Sequence, residues 1–180
     1  VIGRADHSDL VSLFRPAAHL IAVMPWAPIE RARASAVSAL ATKHLANEKA
    51  PCLGIVGTGT QARLHARAIT RVRNVKRVLV SGEKFSQELA VLLARELGGG
   101  MAIEAADVSR AASLADILCV CTDSRMPVLL GNELRKGCHV NAVGTTTFDA
   151  REVDTNTVLR SKVVLEDREI GFSQAGDLRI

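Results

Sequence analysis

The fold is decided by the stretch Cys52-Leu-Gly-Ile-Val-Gly-Thr-Gly-Thr-Gln-Ala-Arg-Leu-His65. Its apolar run ends at Val56 and predicts a buried strand, and the glycine-containing segment that follows predicts a tight turn into a helix. The turn has the pattern G-x-G-x-x-A. In this pattern the first glycine permits the turn, the second lets backbone N–H groups approach a pyrophosphate, and the alanine allows close packing of helix on strand.

A pyrophosphate in this turn would meet the N-terminus of a helix, where unpaired N–H groups and the helix dipole favour an anion. The sequence therefore predicts a dinucleotide-binding turn, with a purely structural strand–helix turn as the alternative. The candidate cofactor-binding residues of the turn are Gly57, Thr58, Gly59, Thr60, Gln61 and Ala62.

Length and composition limit the function classes. The chain has 180 residues, of which 48% are hydrophobic, and a net charge of +4. It can bury one sizeable core, so we expect one complete domain and a piece of another. Because the charge is spread out and no basic run alternates with aromatic residues, we expect no nucleic-acid partner. No apolar run is long enough to span a bilayer, so we expect no membrane partner.

The four cysteines lie mostly in apolar stretches, with neither a C-x-x-C pair nor histidines at metal-ligand spacing. We therefore expect buried free thiols, no metal site and a reducing, cytoplasmic location, since no signal peptide is recognised. The chain begins at Val1 rather than Met, so we expect a fragment or a truncated product.

Two strands and a helix are predicted before the central stretch. The strands span 9–14 and 19–24, and the helix spans the alanine-rich segment 29–45. Helical spacing places Arg33 on one stripe with Val37, Leu40 and His44. An arginine on an apolar stripe needs an anion or a route to water. Arg33 is therefore either a ligand for a substrate carboxylate or a snorkelling side chain.

After the turn, strands alternate with helices, which predicts an α/β fold with a doubly wound parallel sheet of the Rossmann type. His65 is expected on the surface of the first of these helices. The predicted helices span 60–72 and 86–97, and a third ends at Leu114 and is capped by Asp107. Further strands are predicted at 75–81, 101–104, 117–122, 139–143 and 162–165.

Ligands of such sheets lie at the carboxyl ends of the strands. After the second strand, Glu83 can bond a ribose 2′-OH, whereas Ser81 and Lys84 can hold a 2′-phosphate, so the choice between NAD and NADP stays open. The polar turn 122–127 after the fourth strand is suited to cofactor contact, with a plain solvated loop as the alternative. The turn 141–147 after the fifth strand is expected to face the nicotinamide end.

Four separated motifs share the order and spacing of one family. They are Arg33-Ala-Ser-Ala-Val-Ser-Ala-Leu-Ala, Gly57-x-Gly-x-Gln-Ala62, Asn141-Ala-Val-Gly144 followed by Arg151-Glu-Val-Asp154, and Ala175-Gly-Asp-Leu178. From about Leu10 onward the chain resembles the ornithine cyclodeaminase/mu-crystallin family. The resemblance implies that NAD(H) or NADP(H) binds to a Rossmann domain and that the substrate is a small amino or imino acid. It also implies a homodimer for a full-length member.

The resemblance implies three parts of the chain. Residues 1–46 are a remnant of the substrate/dimerisation domain, 47–168 are the NAD(P)-binding domain, and 169–180 begin the return to the first domain. Roughly the first third and the last portion of a typical member are absent, including basic residues of the substrate pocket.

Site residues follow from the same resemblance. Arg33 matches the arginine that binds the substrate carboxylate, a task suited to its planar bidentate group. Cyclodeaminases carry an aspartate where this chain has Thr146, so a base acting on ornithine is missing. The glycine-rich turn matches the family's pyrophosphate loop, and the residues that match turns lining the cofactor are Thr122, Ser124, Val143 and Gly144.

These features favour an NAD(P)H-dependent reductase of a cyclic imino acid, of the ketimine or pyrroline-carboxylate type. Hydride transfer to an existing C=N bond needs only the cofactor, an oriented carboxylate and a proton donor such as water. The first alternative is an ornithine cyclodeaminase, which forms proline and ammonia. The second is a catalytically inactive, crystallin-like or truncated protein that only binds the cofactor.

Overall fold

A computed structural model describes residues 10–144 and 147–178. The chain divides into two compact units, the first ending at Ala34 and the second beginning at Ser35. The boundary lies inside a helix, α1 (Trp26–Leu45). The domain limits 1–46, 47–168 and 169–180 stay a prediction.

The first unit contains an antiparallel pair of strands and the beginning of α1. Strands β1 (Leu10–Arg15) and β2 (His19–Pro25) pair as predicted from the sequence. Helix α1 begins at Trp26 rather than at residue 29, because a proline such as Pro28 is tolerated in a first turn, where its missing N–H has no helical partner.

The second unit is built on a parallel sheet, which confirms the doubly wound α/β prediction. Its strand order is β5-β4-β3-β6-β7. The strands are β3 (Cys52–Val56), β4 (Arg77–Ser81), β5 (Ala102–Ala105), β6 (Ile117–Val120) and β7 (His139–Ala142). The helices are α2 (Thr60–Val72), α3 (Ser86–Leu97), α4 (Val108–Leu114), α5 (Thr155–Leu159) and α6 (Arg168–Gln174), followed by a 3-10 turn, Gly176–Leu178.

Strands β4 and β5 lie on one side of β3, and β6 and β7 lie on the other. The topological switch point is therefore between β3 and β6. Aliphatic side chains cover both faces of the sheet. On one face Leu53 and Ile55 pack with α2 and α3, and on the other Val56 and Leu118 pack with α4. A sheet buried on both faces explains the nearly continuous apolar runs of its strands.

The predicted strand at 162–165 is wrong. The parallel sheet has five strands within the described ranges, and 162–165 is irregular. Val163 and Val164 are 46% and 58% exposed. The reason is that an apolar run becomes a strand only where another strand offers a ladder of hydrogen bonds, and periodicity does not report this.

The second half of α1 packs through small and hydroxyl side chains rather than through the stripe that contains Leu40. Leu40, on the predicted stripe, is 58% exposed. The buried residues, spaced at three and four positions, are Ser35, Ser38, Ala39 and Thr42. Thr42 Oγ1 accepts a hydrogen bond from Asn141 Nδ2 at 3.1 Å, which ties the helix to β7.

His65 is fully buried, contrary to the expected surface position. Its Nδ1 donates to the carbonyl of Gln61 at 2.8 Å, so Nε2 is left to accept from the hydroxyl of Ser38 at 3.0 Å. A hydroxyl on α1 thus supplies the partner that makes burial of the imidazole tolerable.

Candidate functional site

The turn after β3 is held at the switch point by its first glycine. Gly57 has φ +113°, a left-handed conformation that side chains other than glycine rarely adopt. Its N–H donates to the carbonyl of Ser81 at 2.8 Å. A Cβ built on Gly57 would lie 2.4 Å from the carbonyl oxygen of Cys121. Gly57 therefore lets the turn fit between the ends of β4 and β6.

The second glycine of the turn faces open space. A Cβ built on Gly59 meets no atom within 4 Å, and its backbone is extended, with φ −81° and ψ −172°. The fold itself therefore places no demand for glycine at this position. Such a residue suits close approach by a ligand.

The N-terminus of α2 has no side-chain cap. Its N-cap residue is Gly59, and α3, with Phe85 as its N-cap, also lacks a side-chain cap. In contrast, α4, α5 and α6 begin with the aspartates Asp107, Asp154 and Asp167, each of which accepts a backbone N–H. The Oε1 atom of Gln61 is buried and has no hydrogen-bond partner among the described residues. The uncapped backbone N–H donors at the start of α2 and the positive end of its dipole suit an anion, whereas the Gln61 oxygen is an acceptor and does not contribute to this.

The other residues of the turn connect it to its surroundings. Ala62 is in the first turn of α2 and is fully buried, as close packing of helix on strand requires. Thr58 lies beside the turn after β4, because a Cβ built on Gly82 would be 2.8 Å from Thr58 Cγ2. Thr60 is exposed.

The turn after β4 divides its candidate residues between interior and surface. Ser81 is fully buried, and its hydroxyl donates to the carbonyl of Asp107 at 3.2 Å. Glu83 and Lys84 are exposed. Glu83 and Lys84 thus present their polar groups to solvent, whereas the Ser81 hydroxyl points into the protein.

The turns after β6 and β7 touch each other. A Cβ built on Gly144 would lie 1.8 Å from the carbonyl oxygen of Thr122, so only glycine fits there. Ser124 donates through its hydroxyl to the carbonyl of Met126 at 2.7 Å and through its N–H to Thr122 Oγ1 at 3.3 Å. Val143 extends β7 with an N–H donated to Val120 O at 3.0 Å.

Sequence reasoning missed the carboxylate that joins these two turns. Glu152 is fully buried and accepts hydrogen bonds from both Thr122 and Gly144. Asp177 in turn accepts the N–H of Glu152 at 2.7 Å. Both acids occur in motifs recognised from the sequence, but a buried glutamate cannot be told from an exposed one by residue type.

The two remaining candidate residues are Arg33 and Thr146. Arg33 lies on α1 in the first unit and is exposed. Thr146, at the position of the family aspartate, lies outside the described residues. Residues 10–144 and 147–178 contain no group of three His, Cys, Asp or Glu side chains that could hold a metal ion. In the same ranges, no helix is both long and apolar enough to cross a membrane.

The turns after β3, β4, β6 and β7 therefore form one edge of the sheet, at the carboxyl ends of its strands, which is the ligand edge of open α/β sheets. Comparison with known proteins agrees with this arrangement. The Δ1-pyrroline-2-carboxylate reductase of Thermococcus litoralis, solved with NADH and L-proline, superimposes with a TM-score of 0.90 at 34% identity. The match covers 94% of this chain and 53% of that one.

Two relatives are also similar to this chain in sequence. A Δ1-pyrroline-2-carboxylate reductase of Bacillus cereus is 34% identical over 89% of this chain and 50% of its own length. The ketimine reductase mu-crystallin of Rattus norvegicus is 32% identical over 96% and 55%. The chain spans about half the length of these relatives. The model of the ornithine cyclodeaminase/mu-crystallin family matches residues 3–179, and the chain belongs to that family.

Proposed function

We propose that this chain carries the cofactor-binding part of an NAD(P)H-dependent reductase that acts on a cyclic imino acid. The observation that supports it most is the uncapped N-terminus of α2 behind an open Gly59, beside the turns after β4 and β6. The relatives named above are reductases of this kind, and the Thermococcus litoralis protein was solved with NADH.

In this proposal, backbone N–H groups of residues 58–62 hold the pyrophosphate at the start of α2, while the Gly57 N–H is bonded to the carbonyl of Ser81. They suit the group because the cradle is open at Gly59 and because the helix offers no side-chain oxygen of its own. The turns that contain Thr122 and Gly144 line the cofactor farther along the strand ends. Bound NAD(P)H supplies a hydride to the substrate C=N bond.

The substrate is held through its carboxylate by the guanidinium of Arg33, the match to the family's carboxylate ligand. A bidentate pair orients the imine carbon, and orientation of this kind contributes much of the rate in hydride transfer. Water or the substrate supplies the proton for the nitrogen, because Thr146 offers no carboxylic acid.

NADH is the proposed preferred cofactor. The Ser81 hydroxyl donates inside the protein, which leaves Glu83 as an acceptor for a ribose 2′-OH and as a charge that repels a 2′-phosphate. Lys84 is the competing feature, since its ammonium would attract that phosphate.

A cytoplasmic homodimer completes the proposal. All four cysteines are free thiols, as a reducing compartment favours. The pairing of β1 with β2 places Phe14, Leu20 and Val23 on one face, where they are 40% to 57% exposed, and an apolar face of this kind suits a protein partner. Light scattering of the full-length protein should give twice the mass of one chain, and a monomer would contradict this part.

The function is tested by oxidation of NADH with Δ1-pyrroline-2-carboxylate, measured on the full-length protein and on this chain after circular dichroism has shown that each is folded. We expect the full-length protein to consume NADH in proportion to the imino acid added. Consumption should fall when Arg33 is replaced by lysine, because a point charge cannot replace the bidentate contact. No oxidation by the folded full-length protein would overturn the proposal, and ammonia release from ornithine would favour a cyclodeaminase.

A further inference from the structure

Glu152 is a buried carboxylate that connects two separate turns. Its Oε1 accepts hydrogen bonds from the N–H of Thr122 at 2.5 Å and from the Thr122 hydroxyl at 2.6 Å. Its Oε2 accepts from the N–H of Gly144 at 2.5 Å. One side chain thus receives three hydrogen bonds from the turns that follow β6 and β7.

The backbone of Glu152 is itself held in place. Asp177 Oδ1 accepts the N–H of Glu152 at 2.7 Å and that of Val153 at 3.0 Å, and Asp177 is only 8% exposed. Gly176 allows this approach, because a Cβ there would lie 2.1 Å from the carbonyl oxygen of Ala150. The 3-10 turn that contains Asp177 therefore holds the backbone of Glu152 in place.

The three hydrogen-bond donors around Glu152 require a carboxylate at this position. All three groups that face its oxygens are N–H or O–H donors, so an ionised carboxylate satisfies them and an amide cannot satisfy all three. The pKa of Glu152 is raised overall, chiefly by burial and also by the nearby charge of Asp177, while the hydrogen bonds from Thr122 and Gly144 oppose the rise. Because the side chain is fully buried, it is not available to contact a substrate.

We infer that Glu152, anchored by Asp177, is a positioning residue that fixes the two cofactor-lining turns relative to each other at the ligand edge of the sheet. The inference rests on the proposed binding of NAD(H), because the turns at Thr122 and Gly144 are those assigned to the cofactor. Gly144 and the carbonyl of Thr122 are already close to each other. The carboxylate of Glu152 therefore fixes the relative orientation of the two turns, not their proximity.

The test is Glu152→Gln, compared with Asp154→Asn as a matched control. Glutamine keeps the shape but turns one acceptor into an NH₂ group facing a donor. Asp154 also accepts three hydrogen bonds through one carboxylate, from Gly131 N, Thr157 N and Thr157 Oγ1, and none of these donors belongs to a cofactor-lining turn. Hydrogen exchange of the Thr122 and Gly144 amides is measured by NMR, together with the dissociation constant for NADH.

For Glu152→Gln we expect faster exchange at both amides and NADH binding about tenfold weaker, as loss of a hydrogen bond to a charged group implies. For Asp154→Asn we expect lower stability, with unchanged exchange at Thr122 and Gly144 and unchanged NADH affinity. Unchanged exchange in Glu152→Gln, or an equal loss of affinity in both variants, would overturn the inference.

A failure of this inference can be distinguished from a failure of the proposed function. If the wild-type chain binds no NADH, the proposed function fails for this chain, and the exchange rates alone decide whether Glu152 holds the turns. If Glu152→Gln does not fold, Thr122→Val removes the hydroxyl donor to Glu152 together with the acceptor of the Ser124 N–H, and the Gly144 amide should then exchange faster than in the wild type. An unchanged rate at Gly144 would overturn the inference in that case.

Discussion

Gly57 and Gly59 occupy one turn, but the fold requires only Gly57. Its positive φ and the 2.4 Å approach to Cys121 O are demands of the polypeptide itself. Gly59 has an ordinary conformation and open space beside it. The sequence predicted both roles, because the spacing G-x-G-x-x-A carries a separate physical reason for each glycine.

Gly59→Ala should separate binding from stability. We expect the unfolding free energy to fall by no more than about 1 kcal/mol, since nothing contacts the new methyl group and alanine is only a poorer N-cap than glycine. NADH binding should weaken, because the methyl group occupies the cradle. Gly57→Ala is the contrasting variant and should lose more than about 2 kcal/mol through backbone strain and the clash. Urea unfolding and NADH fluorescence measure the two quantities, and equal effects of the two variants would contradict this view.

Glu83 and Lys84 should set the cofactor preference in opposite directions. We expect the wild type to bind NADH more tightly than NADPH, and Glu83→Ala to reduce that ratio about tenfold by removing the repulsion of the 2′-phosphate. Lys84→Ala should weaken NADPH and leave NADH unchanged. Paired titrations with both cofactors provide the measurement. A wild-type preference for NADPH would show that Lys84 dominates.

Residue type alone could not reveal which polar side chains point inward. Ser81 ends a strand that is buried on both faces, so no alternation of polar and apolar residues indicates the direction of its hydroxyl. Glu152 follows Arg151 in a polar stretch, and its burial depends on Thr122, Gly144 and Asp177, which are distant in sequence.

At the scale of elements, helices were easier to predict than the surfaces they bury. Helices α2 and α3 have the predicted limits, since turn residues and Gly98 define their ends. The buried face of α1 was not predicted, because it relies on the pairs Ser38–His65 and Thr42–Asn141 rather than on apolar side chains. Hydrophobic periodicity does not detect a face of this kind.

His65 links α1 to α2 and should make stability depend on pH. Burial lowers its pKa, which the hydrogen bond to Gln61 only partly offsets, so the folded state favours the neutral ring. Its contribution is complete above the unfolded value of about 6.5 and is lost as pH falls towards the folded pKa, at up to about 1.4 kcal/mol per pH unit.

Urea unfolding between about pH 7 and about pH 5 tests this contribution. The wild type should lose more stability over this range than His65→Gln. The matched control is His44→Gln, because His44 is exposed at the end of α1, and it should keep the wild-type slope. An identical slope in His65→Gln would show that His65 is not the source.

At the scale of the whole molecule, the alternation of strands and helices was enough to predict the doubly wound sheet, and the apolar runs located its five strands. The added strand at 162–165 shows the limit of that reasoning. Pairing partners are a property of the assembled sheet, and a short apolar run with exposed valines looks the same in sequence as a buried one.

The reactivity of the buried thiols Cys119 and Cys121 should report whether the second unit is folded. Burial raises the pKa of Cys119 to about 12 and that of Cys121 well above its ordinary value. Both should resist a disulfide reagent at about pH 8 while the chain is folded, because thiolates are the reacting species. Reaction should follow the unfolding curve in guanidinium, monitored by absorbance. Rapid labelling of Cys119 in the native chain would contradict the described core.

The most direct test of the central claim is a fluorescence titration of the wild-type chain and of Gly59→Ala with NADH, after circular dichroism has shown equal folding. We predict saturable binding by the wild type and markedly weaker binding by the variant. Absence of NADH and NADPH binding by the folded wild type, or equal binding by the two proteins, would contradict the assignment of the turn after β3 as a cofactor site.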